Sequence, residues 1–513
     1  MYSFSKPLRT FFQMLVQKRY IRVIVSSSST IISKTSFLKF EQCAKAFYLY
    51  KQFPYLRDKL STDKQLTFKR GHQIGLLAQQ LFPRGTDISL ITKTNAEAIE
   101  ETKKRLAAGE KVLYEAAFAF NGTLVLLDLL VLTDEGYDAY EVKSSVRVSE
   151  TYIKDACLQY YVVSEALPRL NEFYLVTLNA DYRLQGTLDL KQLFKRRSIK
   201  QRAFENKAYF EHRIQSALKT IDEGKVPQVE TGKHCLKPYQ CDFFGHCWKQ
   251  ELSSDSVFDF PMVGKDKLWE WYEAGIKTSA QLSAELMPRP ALEKVLQSIN
   301  GKQTIVEKDA ISTFLNMLGS SCIAMDMEAY SPPVPQLEGT GPFYQFPFLA
   351  SFYNNDRQFS IFIDSVSYQG MQSFAEDLIA ACEAYAHILV YDKNLERIIL
   401  QNLSSIFPPL TERLKELEAK LVDISDVFKN LHFYHPDFKG SFSLKTLMAV
   451  LLPQFSYKGI ISGLAAMDEY EQYIHETNTI EREFLKTRLI DYCEMDAKAC
   501  FLLKGFLEQQ VKE

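Results

Sequence analysis

The sequence predicts an α/β protein built from more than one domain, and three observations predict it. The stretch Gly122–Lys143, GTLVLLDLLVLTDEGYDAYEVK, reads as two strands joined at Asp134-Glu135-Gly136, with a periodic helix and another strand after it. From Ser320 the pattern resets into three consecutive strands and then alternating strands and helices, the signature of a second, mixed-sheet α/β domain. At 513 residues the chain is also too long for one ordinary core.

Residues 1–30 are basic, then Ser-rich, without an acid, and lack the apolar core and small-residue cleavage site of a signal peptide; they read as a tail. Residues 31–252 form the first domain. Its opening segment, to Tyr50, predicts a helix starting at Ser36 with Cys43 inside it. TFKRGHQIGLLAQQLFPRG predicts a second helix, with His72 near its start and Pro83 and Gly85 closing it. A charged helix over 94–108, the strand VLYEAAFAF carrying Glu115, the central hairpin, the helix VSETYIKDACLQYYVVSEAL and the strand FYLVTLN complete an α/β core. A helix over 203–224 leads into the cysteine-rich passage HCLKPYQCDFFGHCWKQ. Residues 253–318 read as a helical connector, either a packing spacer or a short helix–loop–helix on a nucleic-acid backbone. Residues 319–513 form the last domain, with strands in SSCIAMDMEAY, FPFLASFYNN, RQFSIFIDSV and LVDISDVF and a helical tail.

Hydrophobic content of 46% and charged content of 24% describe a soluble globular protein, and no apolar run reaches the about 18 residues of a membrane span. Net charge of −2 carries no global nucleic-acid signature, so a basic surface must be local. Lys191–Lys207 is such a cluster; Lys195, Arg196 and Arg197 read as a phosphate-contacting stripe or as a solvated helix face. Nine cysteines do not make a disulfide scaffold and fit a reduced, cytoplasmic setting.

The chemistry concentrates on Asp128, Glu141 and Lys143. A carboxylate inside an apolar strand costs several kcal/mol, roughly, unless paired or metal-bound. Glu141 and Lys143 share a strand face, because side chains repeat every second residue. With Asp128 on the neighbouring strand, two carboxylates and an ammonium converge where a hard divalent cation can bind beside an attacking water. The bland alternative is a Glu–Lys pair on a solvated face, with Asp128 opening a loop. Cys235, Cys241 and Cys247 are spaced C-x5-C-x5-C, and Cys43 supplies a fourth thiol; such a set suits zinc or an iron–sulfur cluster, and His234 and His246 keep mixed zinc ligation open.

Taken in order, Cys43, Gly71-His72, Asp128, Glu141-Val142-Lys143, Gln159-Tyr160 and the cysteine triplet resemble the RecB-like branch of the PD-(D/E)XK nucleases. The iron–sulfur members are the nearest in pattern, such as the CRISPR-associated RecB-like exonucleases and AddB-type nuclease domains. The resemblance implies a restriction-endonuclease-like fold. It implies Mg²⁺ or Mn²⁺ on His72, Asp128, Glu141 and the Val142 carbonyl, and Lys143 orienting or activating the water. Gln159 and Tyr160 would steady the site or the DNA, and Cys43, Cys235, Cys241 and Cys247 would hold a 4Fe–4S cluster, with zinc as the alternative. The five-residue gap before the last cysteine departs from the two-residue gap of the best-known relatives.

Residues 320–505 are similar to DEDD-type 3′–5′ exonuclease domains of the ribonuclease H-like fold. Asp326-x-Glu328 matches the first motif, VYDKNLERIIL the second, and Tyr492-x3-Asp496 the third motif of the tyrosine subclass. The resemblance implies divalent cations on Asp326, Glu328, Glu396 and Asp496, with Tyr492 placing the water and Lys445 in a segment that contacts nucleic acid. Asp392, Leu395 and Glu396 stand where Asn, Phe and Asp are typical, which leaves this domain either an altered exonuclease or a binding platform. The layout also resembles an uncharacterised bacterial family joining these two domains.

The resulting expectation is a metal-dependent DNA nuclease acting on single strands or ends, in DNA repair or antiviral defence, with a helicase or defence component as a protein partner. Two other readings stay open: a non-catalytic, metal-stapled nucleic-acid-binding scaffold, and an RNA 3′–5′ exonuclease run by the C-terminal domain.

Overall fold

Two compact units emerge from the contacts in a computed structural model, which describes residues 31–249, 255–455, 459, 460 and 462–512. The tail expected over residues 1–30 lies outside the described residues. The first unit holds the described residues up to Asp58, Phe68–Phe244 and Pro333–Pro342; the second holds Lys59–Thr67, Gly245–Pro332 and the chain from Phe343. Among the described residues no helix is long and apolar enough to cross a membrane.

The first unit starts with two short helices, α1 (Lys34–Gln42) and α2 (Ala44–Gln52). Ser33 caps α1 by accepting from the Ser36 amide, so the helix begins at Lys34, earlier than the apolar spacing implies. Contrary to the pattern, which puts Cys43 inside a helix, it lies between two. Its backbone is extended, at φ −164°, and its sulfur accepts from the Ala46 amide to cap α2. The helix α3 (Thr62–Gln79), counted with this unit from Phe68 on, begins before the apolar run and leaves His72 mid-helix rather than near its start. A capping box between Thr94 and Glu97 opens α4 (Asn95–Ala107).

The central hairpin forms as the alternation predicts: β1 (Val112–Phe120), β2 (Thr123–Leu132) and β3 (Tyr137–Lys143) are antiparallel neighbours. The helix α5 (Glu150–Ala166), capped by Ser149, crosses over to β4 (Leu170–Leu178), which runs parallel to β3. The edge strand β5 (Phe194–Ser198) follows, and α6 (Lys207–Asp222) packs on α1 and α5. Two-residue strands complete the sheet: Thr86–Asp87 beside β1, and Ile32–Ser33 parallel to the start of β2. One hydrophobic core, with Phe37, Phe47, Leu127, Leu158 and Phe173 fully buried, lies between this sheet and α1, α2, α5 and α6.

In the second unit, α7 (Lys265–Glu273), α8 (Pro290–Gly301) and α9 (Lys308–Leu318) occupy the expected connector. They belong to the unit that follows. Ile305 and Val306 pair with Tyr434 and Phe433, and α9 packs on the last helix of the chain. The five-stranded sheet runs β8–β7–β6–β9–β10, built from β6 (Cys322–Tyr330), β7 (Phe346–Tyr353), β8 (Gln358–Phe362), β9 (His387–Val390) and β10 (Leu421–Asp423). The first three are antiparallel, and β6, β9 and β10 are parallel. Helices α10 (Tyr368–Glu383), α11 (Asn394–Ile406) and α12 (Thr411–Ala419) lie along the crossovers. The strand read over LVDISDVF stops at Asp423, whose carboxylate accepts from the Ser425 amide and turns the chain into a short helix. Then come α13 (Leu444–Leu451), α14 (Gly463–His475) and the 34-residue α15 (Thr479–Lys512), which packs on β6 and β7.

Candidate functional site

In the first unit the register places Asp128 against Glu141: Leu129 faces Tyr140 and Leu130 faces Ala139. Asp128 sits within β2 rather than opening a loop, and its Oδ2 accepts from the Val142 amide at 2.7 Å. Glu141, 1% exposed, accepts at Oε1 from Lys143 at 2.7 Å and from Lys34, the first residue of α1, at 2.8 Å. Both ammoniums also face Asp155 Oδ2, at 2.5 Å from Lys143 and 3.7 Å from Lys34. Asp155 stands on α5 one turn before Gln159, whose amide donates to its Oδ1 at 3.3 Å.

Burial pushes the Asp128 carboxyl well above its ordinary range, and the Glu141 carboxylate adds to this. Burial would do the same to Glu141, but the Lys143 and Lys34 ammoniums override it and hold that group below the usual range. Burial opposes the charge on Lys143 too; Glu141 and Asp155 outweigh it and keep the ammonium protonated. Glu115, at φ +52° in β1, adds its charge to the pressure on Asp128. A non-glycine residue in that region costs about 1–3 kcal/mol, a strain stored beside the carboxylates.

One carboxylate oxygen at this site has the chemistry to take a divalent cation. Glu141 Oε2 is buried and has no hydrogen-bond partner among the described residues, while its twin oxygen holds both lysines. His72 is half-buried in α3, Gln159 reaches the site through Asp155, and Tyr160 packs in the hydrophobic core with its ring against Phe173. Lys195, Arg196 and Arg197 form neither a helix face nor a buried cluster: they lie exposed on β5, with Arg196 over the Tyr174 ring.

The cysteine loop docks on the C-terminal end of α1. Gln42 donates to the carbonyls of His234 and Tyr239, both at 2.7 Å, and Lys39 pairs with Asp242 at 2.5 Å. Cys43 lies close enough to Cys235 to feel its charge, and the Cys241 amide bonds the Cys235 carbonyl at 2.8 Å. Cys247 is in the short helix Phe244–Trp248, and no disulfide involves any of the nine cysteines.

In the second unit, ligand oxygens of Asp326, Glu328 and Asp496 all lie within 4.8 Å of one another. Asp326 and Glu328 share one face of β6, and Asp496 stands one turn beyond Tyr492 on α15. Glu396, in the first turn of α11, joins them: it accepts from the Met327 amide and is 3% exposed. The extra methylene of Glu in place of Asp therefore still brings a carboxylate to the cluster. Burial, with neighbouring carboxylates adding to it, raises Asp326 well above its ordinary range, and Glu328 and Glu396 each to about 8. Glu396 Oε2 is buried without a hydrogen-bond partner among the described residues. Hard oxygens that repel one another when ionised fit a divalent cation, whose charge would offset that repulsion.

Around the cluster, burial pushes the Tyr492 phenol far up, and Lys445 Nζ lies 5.1 Å from its ring centre. Asp392, at φ +60°, turns instead to Asn394 and Lys429. The patterns passed over Lys34, Asp155, Asp423 and Cys493. Asp155 carried a signal, the i, i+4 spacing to Gln159. Asp423 is buried and accepts from the amides of Asp392 and Lys393, shaping the turn that delivers Glu396. Cys493 donates its thiol to Asp326 Oδ2 at 3.2 Å.

A family model described as a domain of unknown function, DUF2779, matches residues 323–443, which include Asp326, Glu328 and Glu396 but neither Tyr492 nor Asp496. Among solved structures the chain is similar to an alkaline exonuclease from Laribacter hongkongensis, with a TM-score of 0.22 and 10% identity over 38% of this chain and 93% of that one. No curated protein matches the chain.

Proposed function

We propose that the protein is a divalent-cation-dependent nuclease that hydrolyses phosphodiester bonds of DNA, with single strands or ends as substrate. The observation that carries the reading is the pairing, at one buried spot beside Asp128, of an unpartnered Glu141 oxygen with a Lys143 ammonium fixed on the other oxygen. This is the arrangement that the PD-(D/E)XK resemblance implies. Asp128 and Glu141 would hold the cation, with the Val142 carbonyl and His72 as the further ligands expected from the motif. A cation bound there would polarise the phosphate and acidify a water. The chain's own groups set the rest. Lys143 stays protonated, so it orients a water or supports phosphate charge rather than abstracting a proton. Gln159 fixes Asp155, and Asp155 fixes Lys143.

The second unit supports a DEDD-like site. The strand order β8–β7–β6–β9–β10 and the acids Asp326, Glu328, Glu396 and Asp496 support a ribonuclease H-like reading of it. Tyr492, held as a neutral phenol, would donate to a water beside the cluster. The compactness of this cluster also favours a second reading, in which the second unit carries the hydrolysis and RNA is a substrate. In both readings the cysteine loop binds a thiolate-held metal, zinc or an iron–sulfur cluster, that ties α1 in place.

The test is cleavage of end-labelled single- and double-stranded DNA and of RNA, with Mg²⁺ or Mn²⁺, by wild type, Lys143→Ala and Asp326→Ala. DNA cleavage lost in Lys143→Ala supports the first reading. Loss confined to Asp326→Ala moves the chemistry to the second unit.

A further inference from the structure

Lys34 has no place in the motifs, yet it reaches the centre of the first carboxylate cluster. Its side chain is 26% exposed, and its ammonium bonds Glu141 Oε1 at 2.8 Å and stands 3.7 Å from Asp155 Oδ2. The position is built rather than accidental. Ile32 and Ser33 pair in register with Thr123 and Leu124 at the start of β2, and Ser33 then caps α1 so that Lys34 is its first residue. At the other end of the same helix, Lys39 and Gln42 bond the cysteine loop, so α1 is fixed at both ends.

We propose that Lys34 is the second functional lysine of this site, a positioning residue that offsets its negative charge and fixes which Glu141 oxygen is left open. The inference rests on the nuclease reading of that site. Four carboxylates, Glu115, Asp128, Glu141 and Asp155, act there against the ammoniums of Lys34 and Lys143. A divalent cation brings that set to neutrality. Without Lys34 the loaded site stays negative, and a phosphodiester anion must approach like charge. Because Lys34 and Lys143 both bond Oε1, Oε2 is left for the cation. Lys34 thus repels the cation and favours the substrate, and its removal should move the two affinities in opposite directions.

The experiment is made on the full chain in an Asp326→Asn, Asp496→Asn background, which silences the second cluster. Mn²⁺ binding by titration calorimetry and single-stranded DNA cleavage are measured for Lys34, Lys34→Met and Lys34→Arg. Losing a like charge a few ångströms away should tighten Mn²⁺ binding by about tenfold in Lys34→Met while kcat/KM falls by about tenfold. Lys34→Arg, which keeps the charge, should stay within about threefold of the parent in both. Structural damage would weaken both together, so unchanged or weaker Mn²⁺ binding in Lys34→Met overturns the proposal. Lys34→Gln replaces Lys34→Met if the latter does not fold. If the parent cleaves nothing, the nuclease reading fails and the Mn²⁺ measurement alone still decides the charge role of Lys34.

Discussion

At the scale of single residues, protonation states divide the work. Lys143 is locked as an ammonium by Glu141 and Asp155, so Lys143→Met should lower kcat by about 100-fold with little change in fold, the cost of losing one aligned donor to developing charge. Single-turnover cleavage with circular dichroism as a control checks it. Glu328 and Glu396 make a second, pH-dependent prediction. Their folded values, about 8, lie above the ordinary 4.5, so the folded state binds more protons than the unfolded one between those limits. Stability of the EDTA-treated protein should therefore be full below pH of about 4.5 with respect to these groups and decline as pH rises toward 8. Mn²⁺ should restore it, more at pH 8 than at pH 6, in a thermal melt. Strand alternation put Glu141 and Lys143 on one face, and the order of the other motif residues favoured adding Asp128 to them. Lys34 was not legible, because it is distant in sequence and looks like an ordinary surface charge until α1 closes over the sheet; Asp155 carried only the i, i+4 spacing to Gln159.

At the scale of elements, pattern and structure agree best over the long, strongly apolar segments. The hairpin β2–β3 and the helix α5 sit where period and caps place them. Discrepancies fall at polar backbone switches: Cys43 caps a helix instead of sitting inside one, and Asp423 ends a strand by accepting a backbone amide. Neither is visible as a break in hydrophobicity. The basic run at 195–197 lies on an edge strand, because Phe194 anchors one end in the core while the following four side chains stay exposed. The acid cluster of the second unit depends on α15 lying against β6, with Leu489, Cys493 and Leu503 fully buried beneath it. Leu489→Ala should cost about 2–5 kcal/mol of stability and loosen Asp496 from Asp326. Denaturant unfolding reads the first effect, and a weaker Mn²⁺ stabilisation reads the second.

At the scale of the whole molecule, the two carboxylate clusters belong to different units. Sequence order was enough to separate them. The connector's membership of the second unit was not legible, since it rests on pairing between residues 305–306 and 433–434 and on the Glu307 amide bonding the His432 carbonyl at 2.8 Å. The thiols of the first unit give a molecular-scale prediction. Protein purified without oxygen should carry iron or zinc by elemental analysis, depleted in Cys43→Ser and Cys235→Ser but retained in Cys157→Ser, whose thiol is buried within α5. Equal metal content in all three variants would remove the thiolate site. The central claim is that a divalent cation on Asp128 and Glu141, with Lys143, hydrolyses DNA. Its most direct measurement is Mn²⁺-dependent cleavage of end-labelled single-stranded DNA by wild type and Lys143→Ala, each in the Asp326→Asn, Asp496→Asn background. Cleavage by the first and none by the second is the predicted result; equal cleavage by both, or none by either, would contradict it.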